Sequence, residues 1–325
     1  MEGLNDTQRY FVEEHIEDFR DGLIGRRELI RKVAIVVGST AAATTILAAC
    51  DLSPRAASPS PSAAASGSAT ASPGFVAQPF ATPPPAATTD GVTVKENDPR
   101  ITVSKPAISG ADGAPLIAYL AKPNVSGRVP GVIVIHENRG QTEHIRDVVR
   151  RVATAGFVGL NIDLTSRQGG ADKLGDAATG AIGGLSGQQK LSDHNASIAY
   201  LKANSSGTVG VVGFCFGGGE VWSLVAAGSD VKAAVPYYGP QPSNFTEIAK
   251  TKTAVFAVYA EQDTRISDTA KVMTEQLQKA GVPNQVTIYP GVNHAFHNDT
   301  GARYAPETAQ RAWVSTIEWF RKYLA

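Results

Sequence analysis

The 325 residues carry 30 lysines and arginines against 30 aspartates and glutamates, and the basic residues neither cluster nor interleave with aromatics, so a nucleic-acid-binding surface is not indicated. Hydrophobic residues make up 42 % of the chain, enough to bury a sizeable core. Only two cysteines are present, Cys50 and Cys215, which excludes a disulfide-stapled scaffold.

The first 24 residues are polar, yet Val12, Ile16, Phe19 and Leu23 recur at helical spacing and give that stretch one apolar face. It reads as a short amphipathic extension of the segment that follows. There, Arg26 and Arg27 precede an apolar run over 33–49, broken by Gly38, Ser39 and several threonines, which ends in Leu47-Ala48-Ala49-Cys50. An arginine pair, an apolar stretch and a terminal cysteine in this order resemble a twin-arginine export signal closed by a lipobox. The resemblance implies cleavage before Cys50, lipidation of Cys50 and a bacterial protein held extracytoplasmically on a membrane. An uncleaved N-terminal anchor is the alternative, although about 17 apolar residues is short for a span.

Residues 51–90 are dominated by Ser, Ala, Pro and Thr, with Pro83-Pro84-Pro85 near the end. Such a composition cannot bury a core and reads as a disordered tether. The folded unit is therefore expected over 91–325, as one α/β domain with a doubly wound, mostly parallel sheet. An N-terminal antiparallel β pair over 101–107 and 115–121 leads to a buried strand over 131–135. A helix over 142–155 follows, with Ile145, Val148, Val149 and Val152 on one face and Gly156 as its stop.

Further helices are expected over 191–203, 216–227, 267–280 and 306–323. In the last of these Ala309, Ala312, Trp313, Thr316, Ile317 and Phe320 form a stripe, so Trp313 reads as core rather than as a substrate platform. The glycine- and alanine-rich segment 168–189 reads as a mobile flap. It lacks both the preceding strand and the Gly-Lys-Ser/Thr that a phosphate loop needs.

Gly213-Phe214-Cys215-Phe216-Gly217 follows an apolar run over 209–212 and precedes a helix start, the setting of a nucleophile elbow with cysteine as nucleophile. Glycines flank a turn too tight for side chains, and the helix N-terminus would favour thiolate over thiol. The plainer alternative is a glycine-rich turn around a buried cysteine acting as a small hydrophobe. An apolar strand over 254–260 ends just before Asp263, and another over 285–289 runs into the loop carrying His294. Taken singly, Asp263 also fits a helix cap and His294 a packed loop histidine. Together they follow Cys215 in the order acid, then histidine, on loops beyond strand C-termini.

At these residues the sequence resembles the dienelactone hydrolase family, a cysteine-nucleophile branch of the α/β-hydrolases. The likeness extends to His136-Glu137-Asn138-Arg139-Gly140, the 161–167 segment Asn-Ile-Asp-Leu-Thr-Ser-Arg, Val235-Pro236-Tyr237-Tyr238-Gly239 and the two loops above, all in family order over about residues 92–325. It implies a carboxymethylenebutenolidase-like hydrolase of lactones or carboxylic esters with Cys215, His294 and Asp263 as catalytic triad. Glu137 would pair with the resting thiol, and the backbone N–H groups of Phe216 and Asn138 would form the oxyanion hole. Arg167 matches one of the family's carboxylate-binding arginines; its alternative is an ion pair to a surface acid such as Asp163 or Asp172. Asn298 stands where the second arginine is expected, with Arg303 nearby as a substitute.

No cofactor or metal is expected, because His136, His144, His194 and His297 form no ligand pair with a third partner. The expected partners are a small ester or lactone and a membrane reached through the lipid anchor, with a monomer favoured. Two other readings stay open: a non-catalytic surface-binding lipoprotein on the same fold, and a general carboxylesterase or peptidase.

Overall fold

The computed structural model describes residues 1, 3–53 and 92–324, so most of the expected tether lies outside the described residues. The chain begins with three helices: α1 (Asp6–Arg20), α2 (Arg26–Val37) and α3 (Thr40–Ala48). Asn5 starts α1 with a reciprocal cap, its side chain accepting from the Gln8 N–H while the Gln8 side chain accepts from the Asn5 N–H. Gly38, at φ 78°, ends α2, and Ser39 caps α3 by accepting from the Ala42 N–H. The two helices meet at a bend of 115°. Among the described residues no single helix is long and apolar enough to cross a membrane; α2 and α3 meet that requirement only as a bent pair.

The second part of the chain runs β1 (Ile101–Ser104), β2 (Ile108–Ser109), β3 (Pro115–Leu116), β4 (Ala118–Pro123), β5 (Gly131–Ile135), α4 (Glu143–Thr154), β6 (Val158–Ile162), α5 (Ala171–Leu174), α6 (Ala177–Gly183) and α7 (Gly187–Asn204). It continues with β7 (Val209–Phe214), α8 (Phe216–Ala226), β8 (Ala233–Tyr237), β9 (Ala254–Ala260), α9 (Thr264–Ser267), α10 (Ala270–Ala280), β10 (Asn284–Tyr289) and α11 (Pro306–Leu324). Eight strands form one sheet in the order β1-β4-β6-β5-β7-β8-β9-β10. Pairing is parallel from β6 to β10, and antiparallel only where β4 meets β1 and β6.

This is the expected α/β architecture, refined at its start. The antiparallel partner of β1 is β4, and β2 with β3 forms a separate two-stranded pair. Every residue of β5 to β9 is buried, as a valine-rich sheet covered on both faces requires. Strand β5 lies between β6 and β7, so the chain's winding reverses there and a crevice opens beyond the C-terminal ends of β5 and β7.

Two expectations about the helices change. Segment 168–189 is not an open flap: it is built mainly of α5, α6 and the start of α7, with Ala178, Thr179 and Ile182 buried. Helix α6 is the ledge on which α2 rests. At Gly180 the two backbones approach so closely that a Cβ would lie 2.4 Å from the Ile35 carbonyl oxygen. Helix α7 starts earlier than expected because Ser186 caps it, and the helix expected over 267–280 divides into α9 and α10. Trp313 is core, as its stripe implies.

Candidate active site

Cys215 stands between β7 and α8 at φ 60° and ψ −123°, a strained conformation held by backbone packing on both sides. A Cβ on Gly213 would lie 2.2 Å from the Gly217 carbonyl oxygen. One on Gly217 would lie 2.5 Å from that of Ile135, so neither position tolerates a side chain. Among the described residues, Tyr238 and Ala295 are the other non-glycine residues with positive φ. All three belong to loops that meet around the sulfur, and strain clustered in this way marks a functional site.

His294 follows β10 and Asp263 follows β9. The imidazole Nδ1 lies 2.6 Å from Asp263 Oδ2, which turns Nε2 toward the elbow. Burial resists ionisation of Asp263, yet the charge and hydrogen bond of His294 prevail and hold its carboxyl below the ordinary range. Burial likewise disfavours a charged His294. The charge and hydrogen bond of Asp263, joined by the charge of Glu14, outweigh it and raise the imidazole's pKa.

The groups nearest the sulfur come from α1. Tyr10 Oη lies 3.3 Å from Cys215 Sγ and 3.4 Å from His294 Nε2, bridging thiol and imidazole. The thiol donates toward Glu14, whose carboxylate oxygens are 3.5 and 3.6 Å away, and the Asn138 side chain donates to the same carboxylate at 3.0 Å. Burial pushes the Cys215 pKa well above its ordinary value, and the charges of Glu14 and Glu137 push the same way. The Tyr10 hydrogen bond and the Phe216 N–H, turned toward the sulfur, act in the opposite sense.

Glu137 therefore does not take the place expected for it. It accepts a 2.6 Å hydrogen bond from Asn298, the residue standing where a second arginine was expected, while Glu14 faces the thiol. Nor is Arg167 available to a substrate. Asp112 and Asp193 hold its guanidinium at 2.7–3.0 Å, in place of the Asp163 or Asp172 considered from sequence, and it does not line the cavity containing Cys215. Arg303 does line that cavity, but Asp18 and Asp21 of the N-terminal segment hold it at 2.8 and 2.7 Å.

The cavity has a volume of about 240 Å³ and is walled by Glu14, Glu137, Asn138, Cys215, Asn298 and Arg303. A second cavity of about 550 Å³, lined by Tyr10, Lys190, Phe216 and Glu220, lies along α1 without reaching the sulfur.

Glu14, Cys215 and His294 present ligand atoms within 4.8 Å of one another, the one such trio among the described residues. A search confined to histidine pairs overlooks it. His297 is packed against Phe214 and Trp313, and burial drives its pKa down, as befits a core histidine. Cys50 is half-buried, with its thiol donating to the Ile46 carbonyl; both cysteines are free. Tyr10, Glu14 and Asp18 escaped the sequence reading, which followed the apolar face of the segment. Their i, i+4, i+8 spacing is the signal that places them on one polar face.

Residues 116–324 match the dienelactone hydrolase family. The chain belongs to that family. A putative carboxymethylenebutenolidase from Salmonella typhi is 32 % identical over 229 residues, covering 66 % of this chain and 85 % of the relative. A probable 2-oxo-3-(5-oxofuran-2-ylidene)propanoate lactonase from Bradyrhizobium is 30 % identical over 231 residues, covering 66 % of this chain and 92 % of the relative. The crystal structure of a putative dienelactone hydrolase from Klebsiella pneumoniae superposes with a TM-score of 0.62 at 29 % identity, covering 69 % of this chain and 99 % of the other. This member of the dienelactone hydrolase family is accordingly a hydrolase on an α/β fold, and a small ester or lactone suits its family. Helices α1 to α3 precede the matched stretch.

Proposed function

We propose that the protein hydrolyses a lactone or carboxylic ester through a thioester on Cys215. The observation that carries this is the elbow cysteine at the start of α8 facing a histidine whose other nitrogen is bonded to a buried carboxylate. His294 Nε2 takes the thiol proton and the sulfur attacks the acyl carbon, with the Phe216 and Asn138 N–H groups receiving the oxyanion. Collapse of the tetrahedral intermediate breaks the C–O bond, and the departing alkoxide takes the proton from His294. A water molecule then gives a proton to His294 and adds to the thioester. The carboxylic acid leaves and the thiol is restored. Asp263 orients the imidazole and stabilises its charged form.

The test is turnover of small aryl esters and enol-lactones by wild type and Cys215→Ala, with mass analysis for an acyl group on Cys215. Loss of turnover together with a trapped acyl-Cys215 in wild type is expected. Equal turnover by the variant would overturn the assignment.

The proposal extends to location. Arg26 and Arg27 are exposed at the start of α2, open to an export machinery, and Leu47 to Cys50 form the end of an apolar segment. On this reading the chain is exported, cut before Cys50 and held at a membrane by lipid on that cysteine.

A further inference from the structure

Helix α1 occupies the place where a substrate must lie. Tyr10 stands between thiol and imidazole, Glu14 covers the sulfur, and Asp18 with Asp21 takes up the charge of Arg303. With α1 in place Cys215 is 2 % exposed and His294 3 %. The cavity that reaches the sulfur, at about 240 Å³, is smaller than the ~300–1,000 Å³ of ordinary ligand sites. Asn5, Asp6, Thr7 and Tyr10, at the start of the same helix, wall part of the larger cavity.

The helix is fastened along its length. Asn5 donates to the Gly183 carbonyl and Lys190 to Thr7 Oγ1; Phe11 packs edge-on against Phe216 at 5.4 Å. Arg265 lies 4.7 Å over the Tyr10 ring, and Asn293 donates to Asp21. Burial and the Glu14 carboxylate favour the neutral thiol and prevail over the Tyr10 hydrogen bond, which favours thiolate.

We infer that residues 1–49 are an intramolecular plug on the active site, and that hydrolysis of the Ala49–Cys50 peptide bond is the modification that activates the enzyme. The second clause rests on the export reading above. Water adds across the bond under a signal-peptidase-class protease, leaving a carboxylate on Ala49 and an amino group on Cys50. Helices α1, α2 and α3 are then free to depart as one piece. The link between location and activity is physical: Leu29, Val33, Val36, Ala43 and Leu47 are buried where α2 packs among α1, α3 and α6. Transfer of that apolar run into a membrane strips α2 and α3 from their seat and pulls on α1 through the five-residue link over 21–25.

Two measurements on the full chain test this. One is the rate at which iodoacetamide alkylates Cys215; the other is aryl-ester hydrolysis. Asp18→Ala with Asp21→Ala removes the clamp on Arg303 without touching the sulfur's neighbours, and Glu14→Gln removes the covering charge. Each is expected to raise alkylation about tenfold or more, the clasp variant because the open fraction grows and Glu14→Gln also because the thiol loses a charge that opposes its ionisation, so the clasp variant is the one that reports opening. Unchanged or slower alkylation in both overturns the plug and makes α1 a working part of the site. The processed protein is further expected to exceed unprocessed Cys50→Ser in hydrolysis by about tenfold or more, and equal rates overturn the activating cleavage. Faster alkylation without any ester turnover supports the plug while sinking the hydrolase reading. Brisk turnover by the unprocessed chain, with alkylation unmoved by the variants, sinks the plug alone.

Discussion

Under the proposed mechanism Cys215 is the nucleophile, yet it is held in the protonation state that makes it a poor one. The Tyr10 hydrogen bond and the elbow's Phe216 N–H favour thiolate, while burial and two carboxylates favour thiol; the second set prevails. Asp263 acts on the partner histidine. Its charge is the largest influence raising the His294 pKa, so Asp263→Asn removes both the orientation of the ring and the support for its charged form. Under the proposed mechanism this substitution lowers kcat by roughly 10³–10⁴-fold. It also moves the His294-dependent limb of the pH–rate profile to lower pH. Steady-state kinetics across pH check both, and an unaltered kcat removes Asp263 from the chemistry.

The histidine loop has its own mooring one element away. Asp299, whose carboxylate is fully shielded, accepts from His144 Nδ1 at 2.7 Å and pairs with Arg151, tying the loop after β10 to α4. Burial resists its ionisation, but His144 and Arg151 hold its pKa at about 2, against 3.8 for the ordinary group. The folded value lies below the unfolded one, so the stabilisation is complete above about pH 4 and is lost as pH falls toward 2. That loss is worth about 2 kcal/mol. Asp299→Asn is expected to cost about 2 kcal/mol at neutral pH, the stabilisation that the ionised carboxylate supplies, while Arg151 keeps its bonds to Asp147. Urea titrations at pH 7 and between pH 4 and 2 measure this, and the variant's stability should fall less steeply with acid than that of wild type.

At this scale the sequence was legible where a pattern is local. Strand, turn and helix around Cys215, and the loops carrying Asp263 and His294, follow from apolar runs and glycines that short-range sterics dictate. The partners of Glu137, Arg167 and Arg303 were not legible. Each depends on which polar side chain tertiary packing brings near: Asn298 for Glu137, and for the arginines Asp112, Asp193, Asp18 and Asp21, which look like ordinary surface acids along the chain.

Across the whole molecule, the segment read as an address folds as a structural layer, α1 to α3 lying over the active site and α6. The two roles are compatible if one precedes the other. Arg26→Lys with Arg27→Lys is expected to retain the protein in the cytoplasm, and Cys50→Ser to release it from the membrane fraction; fractionation unchanged in both removes the targeting proposal.

The acidic clasp between Asp18, Asp21 and Arg303 then acquires a meaning beyond its geometry. A plug on the same chain faces its site at an effective concentration of about millimolar or more, which a dilute substrate cannot match. Once severed, the same helix is merely a dilute peptide. Cutting one bond thus converts a first-order reclosing into a second-order encounter. A synthetic peptide of residues 1–24 added to the cleaved enzyme should inhibit only as it approaches that concentration, making the release one-way in a cell.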